Sequence, residues 1–277
     1  MGIVLGIDVG GSTTKIVGIK EKKCFGMLQV RAADQITSMY GAIGNLLSKH
    51  GLGPNDVSTI FLTGVGASFV DEQIYDIETI KVNEFDAIGH GALSLTNLSE
   101  ALVVSMGTGT AFVRADKDEV KHLGGSGVGG GTIIGLSTLM LGKSDVDAVL
   151  ALAEKGDLKN IDLSVSDIFN ANVQTLPSDL TAANFGKIKS TASDSDIALG
   201  IVNMVFETIG MLTVFALKND SLTNVVLTGT LATFPQAETV FSKFHDLIGL
   251  KFTIPPDAVF ATALGATNGA SAHSSSD

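Results

Sequence analysis

The chain has 277 residues, is 45% hydrophobic and carries a formal net charge of −11. Its length and apolar content suit one large globular domain or two modest ones. The acidity, with Arg31 and Arg114 as the only arginines, excludes the basic footprint of a nucleic-acid surface, and the single cysteine, Cys24, excludes an intramolecular disulfide and a multi-cysteine metal site.

The N-terminus enters the apolar run Ile3-Val4-Leu5 at once, with no basic stretch before it, and so reads as a strand and not a signal peptide. No run approaches the roughly twenty uninterrupted apolar residues of a spanning helix. A cytoplasmic location with no membrane partner is the expectation. Strands near 3–8, 14–20 and 26–31 come first, and Gly10-Gly11 makes a tight turn between two of them. Glycines lack Cβ atoms, so the turn Gly6-Ile7-Asp8-Val9-Gly10-Gly11-Ser12-Thr13-Thr14-Lys15 lets backbone N–H groups approach phosphate oxygens. An ordinary hairpin reads the same way. Asp8 favours the functional reading, because a carboxylate at the mouth of a buried strand is poorly placed for packing but well placed to hold Mg²⁺.

Ile36, Met39, Tyr40, Ile43, Leu46 and Leu47 recur at helical spacing until Gly51 ends the helix. The β-branched run 57–62 stops at Thr63-Gly64, a short strand covers 79–82, and a helix is expected from Glu84 to Leu98. Glu84 and Asp86 stand at its start, where acids also serve ordinary helix electrostatics. A kinase needs one carboxylate to take the acceptor's proton, and Glu84 stands where the two parts of the chain meet.

The second part restarts the design. Strand 101–104 runs into Ser105-Met106-Gly107-Thr108-Gly109-Thr110, a second glycine turn carrying hydroxyls, followed by strand 111–113 and a further hairpin arm over 119–123. Six glycines in eight residues, Gly124 to Gly131, then open a helix expected over 132–141. The run fits G-x-G-x-x-G, but the strand before it is a hairpin arm, so the dinucleotide reading is set aside. Gly142-Lys143-Ser144 lacks the earlier glycine of a P-loop. Helices follow over 145–153 and 195–217, then strand 224–227 into Thr228-Gly229, a helix, a strand and a last Ala- and Gly-rich helix. The tail from His273 to Asp277 is polar and expected to be disordered. Strand and helix alternation gives an α/β class, and two glycine turns, each opening one part, form a two-sided phosphate clamp with a nucleotide between the halves.

These segments resemble the acetate and sugar kinase, Hsp70 and actin superfamily, and within it the type II (eukaryotic-like) pantothenate kinases. The similarity runs through Gly6 to Ser12 with Lys15, Leu62-Thr63-Gly64, Glu84-Phe85-Asp86-Ala87, Gly107 to Thr110, Gly124 to Gly131 and Asp179 to Gly186. It implies a duplicated ribonuclease H-like (actin-like ATPase) fold, two mixed sheets flanked by helices with the cleft between them, divided as residues 1–97 and 98–277. It also implies ATP-dependent phosphorylation of the primary hydroxyl of pantothenate, the first step of coenzyme A biosynthesis, in a homodimer.

By the same resemblance Glu84 is the catalytic base, and Asp8 organises Mg²⁺. Gly10, Gly11, Ser12, Thr13 and Lys15 with Gly107, Thr108 and Gly109 hold phosphates, while Gly127, Gly129, Gly130, Gly131 and Gly229 close on the nucleotide. Ser105 contacts the acceptor, and Thr181, Ala182 and Ala183 reach the acceptor pocket across the dimer interface. The family's arginine before the glycine-rich run is replaced by His122, so a related small hydroxylated acid is the alternative acceptor. A non-catalytic ATP-responsive regulator and an iron–sulfur dehydratase activator are the other readings. The activator needs two cysteines per subunit for its cluster, which Cys24 cannot supply.

Overall fold

A computed structural model describes residues 2–32, 34–70, 73–168 and 180–268. Asp179 and the tail from His273 lie outside them. The first part contains β1 (Ile3–Val9), β2 (Thr13–Lys20), β3 (Lys23–Arg31), α1 (Gln35–Lys49), β4 (Val57–Thr63), β5 (Glu78–Lys81) and α2 (Glu84–Thr96). The second contains β6 (Glu100–Met106), β7 (Thr110–Asp116), β8 (Val120–Ser126), α3 (Gly130–Leu141), α4 (Val146–Ala153), β9 (Leu163–Ser164), α5 (Val165–Ile168), β10 (Thr181–Ala183), α6 (Asp194–Ala216), β11 (Asn224–Thr228), α7 (Pro235–Ile248), β12 (Lys251–Thr253) and α8 (Ala261–Asn268).

The two five-stranded sheets have the orders β3-β2-β1-β4-β5 and β12-β11-β6-β7-β8. Read from opposite ends they are one design, with β6 matching β1, β7 matching β2 and β11 matching β4. In each, the first two strands pair antiparallel and the third partner runs parallel. Equivalent positions follow from the register: Asp8 lies beside Thr63 in the first sheet, and Ser105 beside Thr228 in the second. The duplication expected from the paired glycine turns is therefore present strand by strand.

Strand alternation decides what each face meets. Ile3, Leu5, Ile7 and Val9 face the core under α1, together with Ile43, Leu46 and Leu47. Val4 and Phe61 face the other way, onto Ala87 of α2 and Ala266 of α8. Ile88 and Ala92 of α2 pack on Ala101, Val103, Val113 and Val226 of the second sheet. The two helices thus form a layer between the sheets, and the last helix of the chain lies against its first sheet. They meet backbone to backbone, since a Cβ on Gly91 would stand 1.9 Å from the Ala261 carbonyl oxygen and one on Gly265 1.8 Å from that of Ala87.

The outer face of the second sheet is covered by α3, α4, α6 and α7. Helix α6 is long and apolar enough to cross a membrane by length and composition, although the sequence pattern gave no such segment. Ile201, Val202, Val205, Phe206 and Ile209 on it are fully buried in the fold, which makes it the core helix of this layer. Caps stand where the sequence provides them: the Asp34 side chain accepts from the Thr37 N–H at 2.7 Å, and Ser193 with Asp196 forms a capping box for α6.

Candidate active site

The first turn closes on itself through Gly10 N–H donating to the Thr13 carbonyl at 3.1 Å. Just before it, Asp8 is buried and paired with the buried Lys15 ammonium, Nζ to Oδ2 3.3 Å. Register places these two side by side on adjacent strands, on the sheet face that α2 and α8 cover. The chain beyond β4 turns at Gly64, whose φ of +88° needs glycine, and passes so close that a Cβ there would lie 2.6 Å from Asp8 Oδ1.

The second turn is built from its neighbours. Gly107 N–H donates to the Gly109 carbonyl, Gly130 N–H to that of Gly107 and Gly131 N–H to that of Thr108, each at 2.9 Å. Glycine at 129 allows the start of α3 to lie against the turn, since a Cβ would be 2.7 Å from the Thr108 carbonyl oxygen. Gly229, with φ +85°, packs the turn after β11 against Met106, where a Cβ would meet the carbonyl oxygen at 2.5 Å. Gly127, by contrast, has open space around it. Thr110, a hydroxyl of the second turn, donates to the Val128 carbonyl at 2.8 Å and so supports the loop.

The two turns face each other. Ser12 Oγ and Thr108 Oγ1 are 3.0 Å apart, a contact between residues ninety-six positions apart in sequence. Two further contacts tie β3 to the second part: Gln29 Nε2 donates to Thr230 Oγ1 at 3.4 Å, and Arg31 Nη2 reaches Asp145 Oδ2 at 3.0 Å. Gln29, Arg31 and Asp145 were not marked as site residues from sequence. Arg31 could have been, as one of only two arginines and the register partner of Thr13.

Glu84 is the first residue of α2, held there by Asn83, whose side chain accepts from Phe85 N–H at 2.9 Å and Asp86 N–H at 3.3 Å. The Glu84 carboxyl is half-buried, and this burial pushes its pKa above the usual glutamate range. The Asp8 charge raises it further and the Lys15 charge lowers it. Those couplings put Glu84, Asp8 and Lys15 in one electrostatic group.

His122 on β8 lies flat on Phe85, ring centroids 3.8 Å apart and planes 9° from parallel, so the histidine stands next to the residue that follows Glu84. Phe85 carried no assigned role in the sequence, and its aromatic partner could not be read there. Thr181 to Ala183 are held elsewhere. Thr181 Oγ1 and Asn184 Nδ2 each donate to the Glu207 carboxylate of α6 at 2.8 Å, and Phe185 N–H donates to the buried Asp162 at 2.8 Å. Among the described residues no hydrogen bond or ring contact joins this segment to the Glu84 group. A cavity of about 630 Å³ lies between α7 and β12, lined by Phe234, Phe241 and Phe252 among others, and contains none of the expected site residues.

The Fumble family model matches residues 94–240, more than half the chain. A type II pantothenate kinase of Staphylococcus haemolyticus is 30% identical over 272 residues, covering 95% of this chain and 98% of that protein. The chain belongs to the type II pantothenate kinase family. One from Bacillus cereus is 28% identical over 235 residues, 82% of each protein. Membership makes it a phosphotransferase with an alcohol acceptor and ATP as donor. Among solved structures, component A of the Acidaminococcus fermentans (R)-2-hydroxyglutaryl-CoA dehydratase superposes with TM-score 0.69 at 19% identity, covering 96% of both chains. The ROK hexokinase from Thermus thermophilus does so with TM-score 0.55 at 14% identity, covering 95% of this chain and 96% of that one. These likenesses establish the actin-like ATPase fold for this member of the pantothenate kinase family.

Proposed function

We propose that this protein transfers the γ-phosphoryl group of ATP to the primary hydroxyl of pantothenate, with Glu84 as general base. The observation that carries the reading is the position of Glu84: half-buried at the start of α2, electrostatically coupled to Asp8 and Lys15 beside the first phosphate turn. As the hydroxyl oxygen forms its bond to the γ-phosphorus, its proton passes to the Glu84 carboxylate. The bond from that phosphorus to the β–γ bridging oxygen breaks, and ADP leaves. A raised pKa suits this task, because a more basic carboxylate accepts a proton more readily.

The two turns divide the donor between them, with Gly10 to Thr13 on one side and Gly107 to Gly109 on the other, and Lys15 offsets phosphate charge. The buried Asp8 carboxylate beside a phosphate turn is the donor set magnesium takes, which uses one or two carboxylates and completes its shell with water and phosphate. Bound magnesium would neutralise charge on the transferring group. Gly129, Gly130 and Gly131 act by close approach, bringing α3 against the second turn, while Gly127 and Gly229 flank the nucleotide. Ser105 belongs to the acceptor side. Thr181, Ala182 and Ala183 would serve the acceptor pocket of a second copy, which suits their separation from Glu84 within one chain. The homodimer, the cytoplasmic location and the division at residues 97 and 98 belong to the same proposal.

His122 favours one second reading. The family resemblance implies a forked, permanently charged donor at this position, and the imidazole found here instead stacks flat on Phe85. An acceptor whose acid group needs less than a bidentate partner, a related small hydroxylated acid, suits that arrangement. Turnover measured with pantothenate and with such acids in parallel separates the two. A preference of tenfold or more in kcat/KM for pantothenate supports the first reading, and the reverse preference supports the second.

A further inference from the structure

We propose that Thr63 is a further positioning residue of the site, its buried hydroxyl fixing a water molecule in the shell of the divalent cation that Asp8 would anchor. This rests on the proposed role of Asp8 and adds a residue to it. Thr63 has no accessible surface, and its Oγ1 has no hydrogen-bond partner among the described residues. A buried hydroxyl without a partner is unusual in a folded protein, and an unseen water or ion is one way to satisfy it; Thr14, Ser137 and Thr228 share the state, so position in the sheet decides the case for Thr63.

Its direction follows from the sheet. Thr63 has the parity of Phe61, which packs on the α2 and α8 side, whereas Ile60 and Leu62 face the core under α1. In the parallel pairing of β1 with β4 it lies beside Asp8, and Asp8 lies beside Lys15. On its other side, β5 pairs Leu62 with Lys81 and the Val82 N–H donates to the Leu62 carbonyl at 2.8 Å, leading directly to Glu84. The hydroxyl therefore stands in the sheet between the strand carrying Asp8 and the strand that delivers Glu84. Gly64 then turns with its left-handed φ, bringing the backbone against the Asp8 carboxylate.

The second half repeats the arrangement. Thr228 is fully buried, also lacks a partner for its Oγ1, lies beside Ser105 in register and precedes the left-handed Gly229. Two equivalent buried hydroxyls, each beside a polar residue at a strand end that opens a phosphate turn, point to a role facing the cleft. No group of three or more His, Cys, Asp or Glu side chains among the described residues could cage an ion. A cation held by one carboxylate and several waters needs polar groups that orient those waters, and a hydroxyl beside the carboxylate supplies one.

The test titrates Mn²⁺ into the protein with a non-hydrolysable ATP analogue, read by electron paramagnetic resonance, for wild type, Thr63→Val, Thr63→Ala, Thr63→Ser and Asp8→Asn, with thermal melts alongside. Thr63→Val should weaken Mn²⁺ binding about tenfold to a hundredfold. Without Mn²⁺ it should melt no lower than wild type, because it then removes a buried polar atom with no protein partner at nearly constant shape. Thr63→Ser should bind Mn²⁺ within about twofold of wild type, the retained hydroxyl being what matters on this account. Thr63→Ala supplies the same loss if the valine variant does not fold. Unchanged Mn²⁺ affinity in Thr63→Val or Thr63→Ala, with Asp8→Asn impaired, overturns the role of Thr63 alone. Unchanged affinity in Asp8→Asn overturns the Asp8 anchor, and the Thr63 role with it.

Discussion

Replacing Gly265 by alanine tests how the layer between the two sheets is built. A Cβ at this position would lie 1.8 Å from the Ala87 carbonyl oxygen and 2.5 Å from the Gly91 nitrogen, both backbone atoms of α2. Ordinary contact begins near 3.4 Å, so α2 and α8 would have to separate by roughly 1.6 Å, and a backbone cannot rotate out of the way as a side chain does. Overpacking of this kind costs about 1–3 kcal/mol, and a clash against backbone belongs at the upper end. Alanine returns about 0.5–1 kcal/mol of helix propensity, leaving about 2 kcal/mol of destabilisation. At about 2 °C per kcal/mol for a chain of this size, the melting temperature should fall by about 4 °C.

Gly41→Ala is the matched control, since this exposed helical position in α1 has nothing within 4 Å of the new methyl group. It should raise the melting temperature by about 1–2 °C. Scanning calorimetry on the two variants reads both signs. A Gly265→Ala protein that melts at or above wild type would refute the glycine-on-backbone contact. Because Glu84 opens α2, the same variant should also lower kcat.

Glu84→Gln should bind ATP as wild type does and lose about 10²–10⁴ in kcat, measured by steady-state kinetics. Burial raises the folded pKa of Glu84 above its ordinary value of 4.5, so its ionisation destabilises the fold as pH rises through that pKa. The glutamine variant should therefore be more stable than wild type at neutral pH, with the advantage vanishing below pH 4.5; melts across pH that show no such convergence contradict the burial of the charge. If position 122 binds the acceptor as proposed, His122→Arg should lower the KM for pantothenate about tenfold to a hundredfold, the worth of a charged hydrogen bond of about 1.5–3 kcal/mol; an unchanged KM removes position 122 from acceptor binding. Glu207→Ala strips the acceptor from both Thr181 and Asn184, and should lower stability by about 1–3 kcal/mol in denaturant melts.

Much of this architecture was legible because its signals are local. Alternating β-branched runs and glycine turns marked β1, β2, β4, β6 and β11, and the spacing of Ile36 to Leu47 marked α1. Asp8 and Glu84 were marked from residue type and position at strand and helix ends and Lys15 from the family resemblance, and the structure couples the three. Relations across the chain were not legible. Nothing in the period of α8 says that it covers the first sheet while α2 covers the second, because both are short, small-residue helices. The Phe85–His122 stack and the Arg31–Asp145 pair depend on how the halves face each other. Thr63 stood in one of the segments that carry the family resemblance but had no role assigned to it, since a threonine ending a strand is ordinary until its burial and missing partner are known.

Phosphoryl transfer to pantothenate with Glu84 as base, as proposed, makes two products that can be followed together. Purified protein incubated with Mg-ATP and pantothenate, followed by ³¹P magnetic resonance, tests it in one measurement. Wild type should form a phosphomonoester of pantothenate in step with ADP, and Glu84→Gln should form neither at a comparable rate. ADP released without a phosphorylated acceptor, or undiminished phosphoester from the Glu84→Gln protein, would contradict it.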